Sequence, residues 1–283
     1  MKRSQIKKYL IFVKSGVQTT IAYRAQIALW FTGALINVVL MWLLWWAIFS
    51  AHATEVQTAF SEDNVIGGFT FSQMLTYVTL SSIVGELAFA AQSIGEITED
   101  VRYGLIGMRL IKPISYRAQL AFQSVGAFVA RLFIIALPLT VVGTLVMVFA
   151  FGLTGITWYN VLLFVPACFL SLLIRDAIEF LFGQIAFYTQ AMFGVNSIML
   201  TVMGFLSGGM IPLTLFPVWA QTVLSYTPFP STISTPVRLF MGMLSSQDTL
   251  VYFAMSIAWV VALNVLGALL YKTSVRKVVV FGG

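Results

Sequence analysis

Five ionisable residues stand in or beside long apolar stretches of this 283-residue chain: Glu86, Arg131, Arg175, Asp176 and Glu179. A charge at membrane depth costs roughly 2.5–3.5 kcal/mol on insertion scales, so such groups pair with one another or face water. Asp176 and Glu179 are three residues apart and share a helix face, while Arg175 and Glu179 are four apart and spaced to pair. Two readings stay open: a polar patch on a translocation route or subunit interface, or an internal ion-pair cluster near the cytoplasmic end. A metal or catalytic carboxylate site would want convergent His or Cys. The chain has one of each. His52 falls in a polar loop and reads as solvated, and Cys168, inside an apolar run, reads as a buried structural residue that excludes an intrachain disulfide.

Other catalytic signals are absent. The chain contains no GxxxxGK[ST] phosphate cradle, no HExxH and no GxSxG elbow. No catalytic residue, metal or cofactor of its own is expected. The pieces around Ser207-Gly208-Gly209 close an apolar helix rather than cradle a phosphate, and Gly204 and Gly208 have the spacing of a helix-contact pair.

These groups are held by six apolar runs: Ile27–Phe49, Thr70–Gln92, Phe128–Phe151, Asn160–Phe182, Met192–Pro212 and Thr249–Tyr271. Each is long enough, at 1.5 Å per residue, to cross a hydrocarbon core roughly 30 Å thick. A backbone in lipid must satisfy its own hydrogen bonds, so the runs are predicted to be helices. Only 9% of residues are charged, against about 25% in soluble domains. The reading is one all-α integral membrane domain over residues 1–283. The small-residue step Ala51-His52-Ala53 resembles a cleavage site, but the charged leader and the apolar run are both too long, so an uncleaved first span is expected.

Charge sets the topology. Lys2, Arg3, Lys7, Lys8, Lys14 and Arg24 precede the first run; Arg102, Arg109, Lys112 and Arg117 lie between the second and third; Lys272, Arg276 and Lys277 follow the last. That places thirteen of the sixteen basic residues on one side, while the 50–69 connection carries Glu55, Glu62 and Asp63. By the positive-inside rule, both termini are cytoplasmic, and the net charge of +6 reflects topology and lipid head groups rather than nucleic acid.

Three further segments stand out. In residues 4–26, Ile6, Leu10, Val13, Val17 and Ile21 recur at helical spacing, which predicts an amphipathic interfacial helix. Residues 93–120 are longer than a simple connection needs and are predicted to present a small helical element to a cytoplasmic partner. In 212–236, Pro212, Pro217, Pro228, Pro230 and Pro236 forbid a straight helix although the stretch is apolar, which predicts a broken, re-entrant hairpin on the outer side.

With Glu96-Ile97-Thr98-Glu99-Asp100 through Lys112-Pro113-Ile114-Ser115, and with Leu206-Ser207-Gly208-Gly209-Met210-Ile211-Pro212 through Thr227-Pro228-Phe229, the chain resembles an ABC-2 type transporter permease. The first stretch looks like the family's coupling segment and the second like its span-five exit and hairpin. One departure is Ala186-Phe187-Tyr188-Thr189-Gln190, where a Trp and an acidic residue are often found.

The resemblance implies an exporter in the bacterial cytoplasmic membrane, with two permease subunits, identical or paralogous, paired above two separate ATPase subunits that carry ATP and Mg. It implies an ATPase contact at Glu96, Glu99, Asp100, Arg102, Arg109 and Lys112. The route would run along Asn37, Thr76, Thr79, Ser82, Asn196, Thr201 and Ser207, several of which could simply make interhelical hydrogen bonds. Leu213, Phe216, Trp219 and Phe229 are the walls of an outer gate, against a reading of the hairpin as a passive anchor through Trp219 and Tyr226. The cargo would be hydrophobic or amphipathic: a drug, a lipid or a peptide. The alternatives are an ion-coupled carrier or channel using Glu86, Asp176 and Glu179, and a lipid-modifying enzyme.

Overall fold

Polar residues sit where the helices must begin. Thr70 accepts from the Gln73 amide while the Gln73 side chain accepts from the Thr70 amide, a reciprocal cap that opens α3 (Phe71–Ala88). Ser115, Thr157 and Ser245 accept from the amides three residues on and open α6 (Tyr116–Arg131), α8 (Trp158–Gly183) and α12 (Ser246–Ser274). The computed structural model describes the backbone over residues 2–22, 24–52, 60–61, 63–151 and 157–277, and side chains over 7–22, 29–52, 60–61, 63–145 and 157–276. The predicted loop charges Glu55 and Glu62 and the cleavage-like Ala53 fall outside the described residues.

The remaining helices are α1 (Lys2–Ala22), α2 (Arg24–His52), α4 (Ser93–Arg102), α5 (Ile106–Leu110), α7 (Leu137–Phe151), α9 (Met192–Leu206), α10 (Val218–Ser225) and α11 (Ser234–Phe240). No strand occurs among the described residues, apart from an isolated bridge between Ile66 and Phe69. A π-helical turn over Leu132–Ala136 joins α6 to α7. Pro138 follows it, lacking an amide hydrogen and crowding the carbonyl four residues back, and a widened turn relieves that crowding.

Among the described residues, five helical stretches are long and apolar enough to cross a membrane: Leu29–His52, Phe71–Arg102, Tyr116–Leu145, Trp158–Phe187 and Ser246–Ser274. The fifth expected run is helical only over Met192–Leu206, 15 residues, or about 22 Å at 1.5 Å per residue. It ends because Gly208 takes φ +78°, a left-handed conformation that suits glycine. Gly208 therefore lies beyond the helix, and the Gly204/Gly208 spacing is not a helix-surface pair.

The first part of the predicted 93–120 connection is a separate helix, α4, which follows α3 after a break at residues 89–92 and together with it makes up the second membrane-span candidate; its packing is described below. The Phe71–Arg102 candidate is the centre of the fold, 83% buried over its most apolar window, whereas the windows of α2 and α12 are only 17% buried and present most of their surface outward. In lipid the outward surface has no reason to hide, and association rests on packing and polar contacts. One core cluster joins Trp45 and Phe49 of α2 to Tyr77 of α3, Leu172 of α8 and Phe240 of α11. A second joins Ile97 of α4, Leu120 of α6, Phe180 of α8, Met203 of α9 and Leu263 of α12.

α1 packs along α6 so closely that their backbones touch. A Cβ placed on Gly16 would lie 2.1 Å from the Gln123 carbonyl oxygen, and one on Gly126 would lie 2.0 Å from that of Val13. The Tyr9 ring packs tilted against Phe122 and Thr20 is buried, so the packed face runs through Tyr9, Val13, Gly16 and Thr20. The predicted apolar stripe only partly coincides with that face: Val13 lies on it, while Leu10 and Ile21 are exposed. Shape at the two glycines, rather than hydropathy, chose the contact.

Beyond α9 the Pro-rich stretch forms three-residue 3-10 turns at Leu213–Leu215 and Pro230–Thr232, with α10 between them and α11 after them. It is an excursion whose ends meet: the Ser234 amide donates to the Ser207 carbonyl at 3.0 Å.

Candidate functional site

α4 alternates by face. Ser93, Ile94, Ile97 and Asp100 are buried, while Gly95, Glu99 and Arg102 face outward. Ile97 and Ile94 press on Gly183 of α8, where an added Cβ would come within 2.7 Å of the Ile97 side chain. Asp100, 1% exposed, accepts from the Tyr116 hydroxyl at 2.7 Å and pairs with Arg109 at 3.1 Å. Arg109 also pairs with Glu96 and donates to Gln123, which in turn donates to Glu96 at 2.9 Å. Burial disfavours the Arg109 charge, but the Asp100 and Glu96 carboxylates outweigh it and raise its pKa, so the guanidinium stays charged. Gln119 donates to the carbonyls of Arg109 and Ile114, both at 2.9 Å, so α6 holds the 103–115 segment at several points.

A second network ties four helices through one carboxylate. Asp176 of α8 accepts from Ser93 of α4 and Ser124 of α6, each at 2.7 Å, and pairs with Arg117 of α6. Arg117 donates to Asn264 of α12 at 3.0 Å and stacks on Phe180 at 4.8 Å. Arg175 pairs with Glu179 at 3.1 Å as the spacing predicts, and Arg131 lies 3.6 Å from Glu86. Asp176 and Glu179, although three apart, turn to different partners. The internal ion-pair reading describes this geometry.

A cleft of about 430 Å³ opens between α2, α3 and α9, with Asn37, Ser82, Glu86, Arg175 and Ser207 on its wall. Ser82 donates to Asn37 at 3.4 Å across α3 and α2. A neighbouring hollow of about 340 Å³ brings Asn196 beside Glu96, Glu99 and Glu179. Thr76 and Thr79 are buried within the chain instead: Thr76 donates to the Ser72 carbonyl at 2.8 Å, and Thr79 accepts from the Trp42 indole at 2.9 Å. Thr201 is exposed on α9 and donates to the Ser197 carbonyl at 2.9 Å.

The family model described as ABC-2 family transporter protein matches residues 35–282. The chain belongs to that family. The ABC-2 permease is a multi-pass membrane protein, the transmembrane component of an ABC transporter, and works with ABC ATPase subunits rather than being the ATPase itself. The matched span takes in both networks and most of the cleft wall; α1 and the start of α2, with Leu29, Trp30, Gly33 and Ala34 of the cleft, lie outside it. No curated protein matches the chain.

Not all of the permease's predicted coupling residues face outward. Glu99, Arg102 and Lys112 do; Lys112 also lies 5.6 Å over the Phe12 ring of α1. Asp100 does not, and Glu96 and Arg109 are half-buried in the ion-pair network. The predicted gate residues also differ in burial. Trp219 is 71% exposed, Leu213 and Phe216 are half-buried, and Phe229 packs against the second core cluster. The hairpin is fastened from below, where the Tyr77 hydroxyl donates to the Gly208 carbonyl at 2.8 Å.

Sequence reading names Arg117 only as a topology charge and does not single out Ser93, Ser124 or Asn264. A signal existed on α6, where Tyr116, Gln119 and Gln123 recur at three- and four-residue spacing, with Ser124 beside the last, as a polar stripe along the helix. A polar stripe of that kind must meet partners.

Proposed function

We propose that this permease is half of an ATP-driven exporter that moves a hydrophobic or amphipathic cargo out across the bacterial cytoplasmic membrane. Two permease subunits enclose the route, and two ATPase subunits dock beneath them on the 96–113 segment. Both termini are cytoplasmic, α9 with its Pro-rich continuation makes the sixth crossing, and the re-entrant hairpin closes the outer end. ATP and Mg²⁺ sit on the partners. The observation that carries this reading is α4: one face is locked to α6 and α8 by Asp100, Ile97 and Ser93, while Glu99 and Arg102 stand free on the other. A push on the free face would pass, through Asp176 and Arg117, to α8, α6 and α12. Exposed Met108 and Ile111 of the adjoining segment add apolar contact, and charges beside them give partner specificity.

The test is a Glu99→Lys, Arg102→Glu permease reconstituted with its ATPase. We expect normal folding, with cargo-dependent ATP hydrolysis reduced at least about tenfold or the ATPase lost on purification. Intact hydrolysis, transport and co-purification would remove the coupling assignment.

A further inference from the structure

The cleft between α2, α3 and α9 holds a group that the coupling role leaves unused. Arg175 is 4% exposed and lines the cleft, yet its Nη2 has no hydrogen-bond partner; Glu179 engages Nε. Arg131, equally buried, lines an adjoining hollow of about 560 Å³ that shares Trp30, Glu86 and Phe89 with the cleft. Its Nε is unpartnered too, and the Glu86 carboxylate, at 3.6 Å, is beyond hydrogen-bond reach. The Arg175 guanidinium lies 4.3 Å over the Phe89 ring and that of Arg131 4.2 Å over Trp30, contacts that hold each group in place without using its N–H donors. A buried donor of this kind ordinarily meets an acceptor.

The apolar part of the cleft is kept open. Gly33 of α2 and Gly85 of α3 line it, and a Cβ added at either would meet nothing within 4 Å. Glycine inside a helix is destabilising unless something needs the room. Here no described residue fills that room. Leu29, Leu200 and Met203 complete an apolar wall.

We propose that the cleft binds an amphiphile with an acidic headgroup, phosphate or carboxylate, held by the free edge of Arg175 with Arg131 adding positive charge. Its apolar tail lies along α2 and α9 over Gly33 and Gly85. Glu179 and Glu86 lie beside the two arginines, so an arriving headgroup exchanges with carboxylate contacts rather than meeting bare charge. This deepens the exporter reading and rests on it only where the ligand is cargo; binding itself does not require transport.

The test uses the full chain in a neutral detergent, with dodecyl phosphate as the probe and dodecanol and dodecyltrimethylammonium as controls. Saturating dodecyl phosphate should raise Tm by about 5 °C, and the controls by less than about 1 °C. Gly33→Leu fills the cleft without touching a charge; it should fold with a near-native Tm and lose the shift. Arg175→Gln should also lose it, and Gly33→Leu keeps the test decisive if that variant misfolds. Two arms separate the sources. Phosphatidylglycerol retained by wild type and not by Gly33→Leu in native mass spectrometry would identify a resident lipid. ATP hydrolysis by the reconstituted complex that rises with dodecyl phosphate would identify cargo. A binding shift without any such rise, in a complex that responds to no amphiphile, would leave the site standing and remove the exporter reading. Equal shifts from phosphate and alcohol, or a shift that survives Gly33→Leu, would overturn the site. So would a Gly33→Leu chain that loses its dimer and shows no probe effect, because the cleft would then belong to a second copy.

Discussion

Arg117 and Asp176 stand 59 positions apart in the chain and meet in an ion pair whose carboxylate is buried and whose guanidinium reaches on to Asn264. The pair lets one residue on α8 answer to α4, α6 and α12 at once. In a membrane domain, where apolar burial does little to hold helices together, such a junction decides which helices move as a unit.

Breaking that junction from one side should be severe. Asp176→Leu or Arg117→Leu each leaves a charge without its partner, which costs about 3–5 kcal/mol when buried. We expect Tm in detergent to fall by at least about 6 °C for either single variant. The double variant should recover part of the loss, because no lone charge remains. Additive losses in the double-mutant cycle would show that the two residues do not act as a pair.

The contact of α1 with α6 should tolerate no side chain. Gly126→Leu and Gly16→Leu force the two backbones apart, and we expect α1 to become accessible to limited proteolysis. Gly95→Ala on the open face of α4 is the contrast, since its Cβ would meet nothing within 4 Å. It should stabilise by about 0.4–1 kcal/mol through the unfolded state. Unchanged protease resistance in Gly126→Leu would contradict the close approach.

Topology can be read by labelling. In a Cys168→Ser background, a membrane-impermeant thiol reagent applied to whole cells should modify Asp63→Cys and spare Lys112→Cys. Both side chains are exposed in the fold, so a difference reports the membrane side rather than burial. Labelling of both from outside would end the arrangement with cytoplasmic termini.

The hairpin's role turns on Tyr77 and Phe216. Tyr77→Phe leaves the buried Gly208 carbonyl without its donor, and we expect a loss of about 1–3 kcal/mol in thermal stability. Phe216→Ala should leave assembly intact and alter transport, or loosen the dependence of ATP hydrolysis on cargo. Normal transport in Phe216→Ala, with normal assembly, would make the hairpin an anchor. Because Trp219 faces outward, Trp219→Ala should affect membrane seating more than gating.

The sequence by itself determined that this is an all-helical membrane protein. Long apolar runs with sparse charge admit no other backbone in lipid, and Ser115, Thr157 and Ser245 mark helix starts through purely local hydrogen bonds. It also determined the Arg175–Glu179 pair, since a four-residue spacing is itself a contact on a helix. Tertiary structure decided what lies beyond that reach. Asp100 is a charged residue in a polar segment and reads as exposed, until Tyr116 and Arg109 close over it. Gly16 reads as one residue of an amphipathic helix, until Gly126 allows α6 to touch it. Thr79 reads as a polar wall, until the Trp42 indole takes its hydroxyl. Composition and period report whether a residue can tolerate lipid or water, whereas the identity of its partner depends on how distant helices are brought side by side.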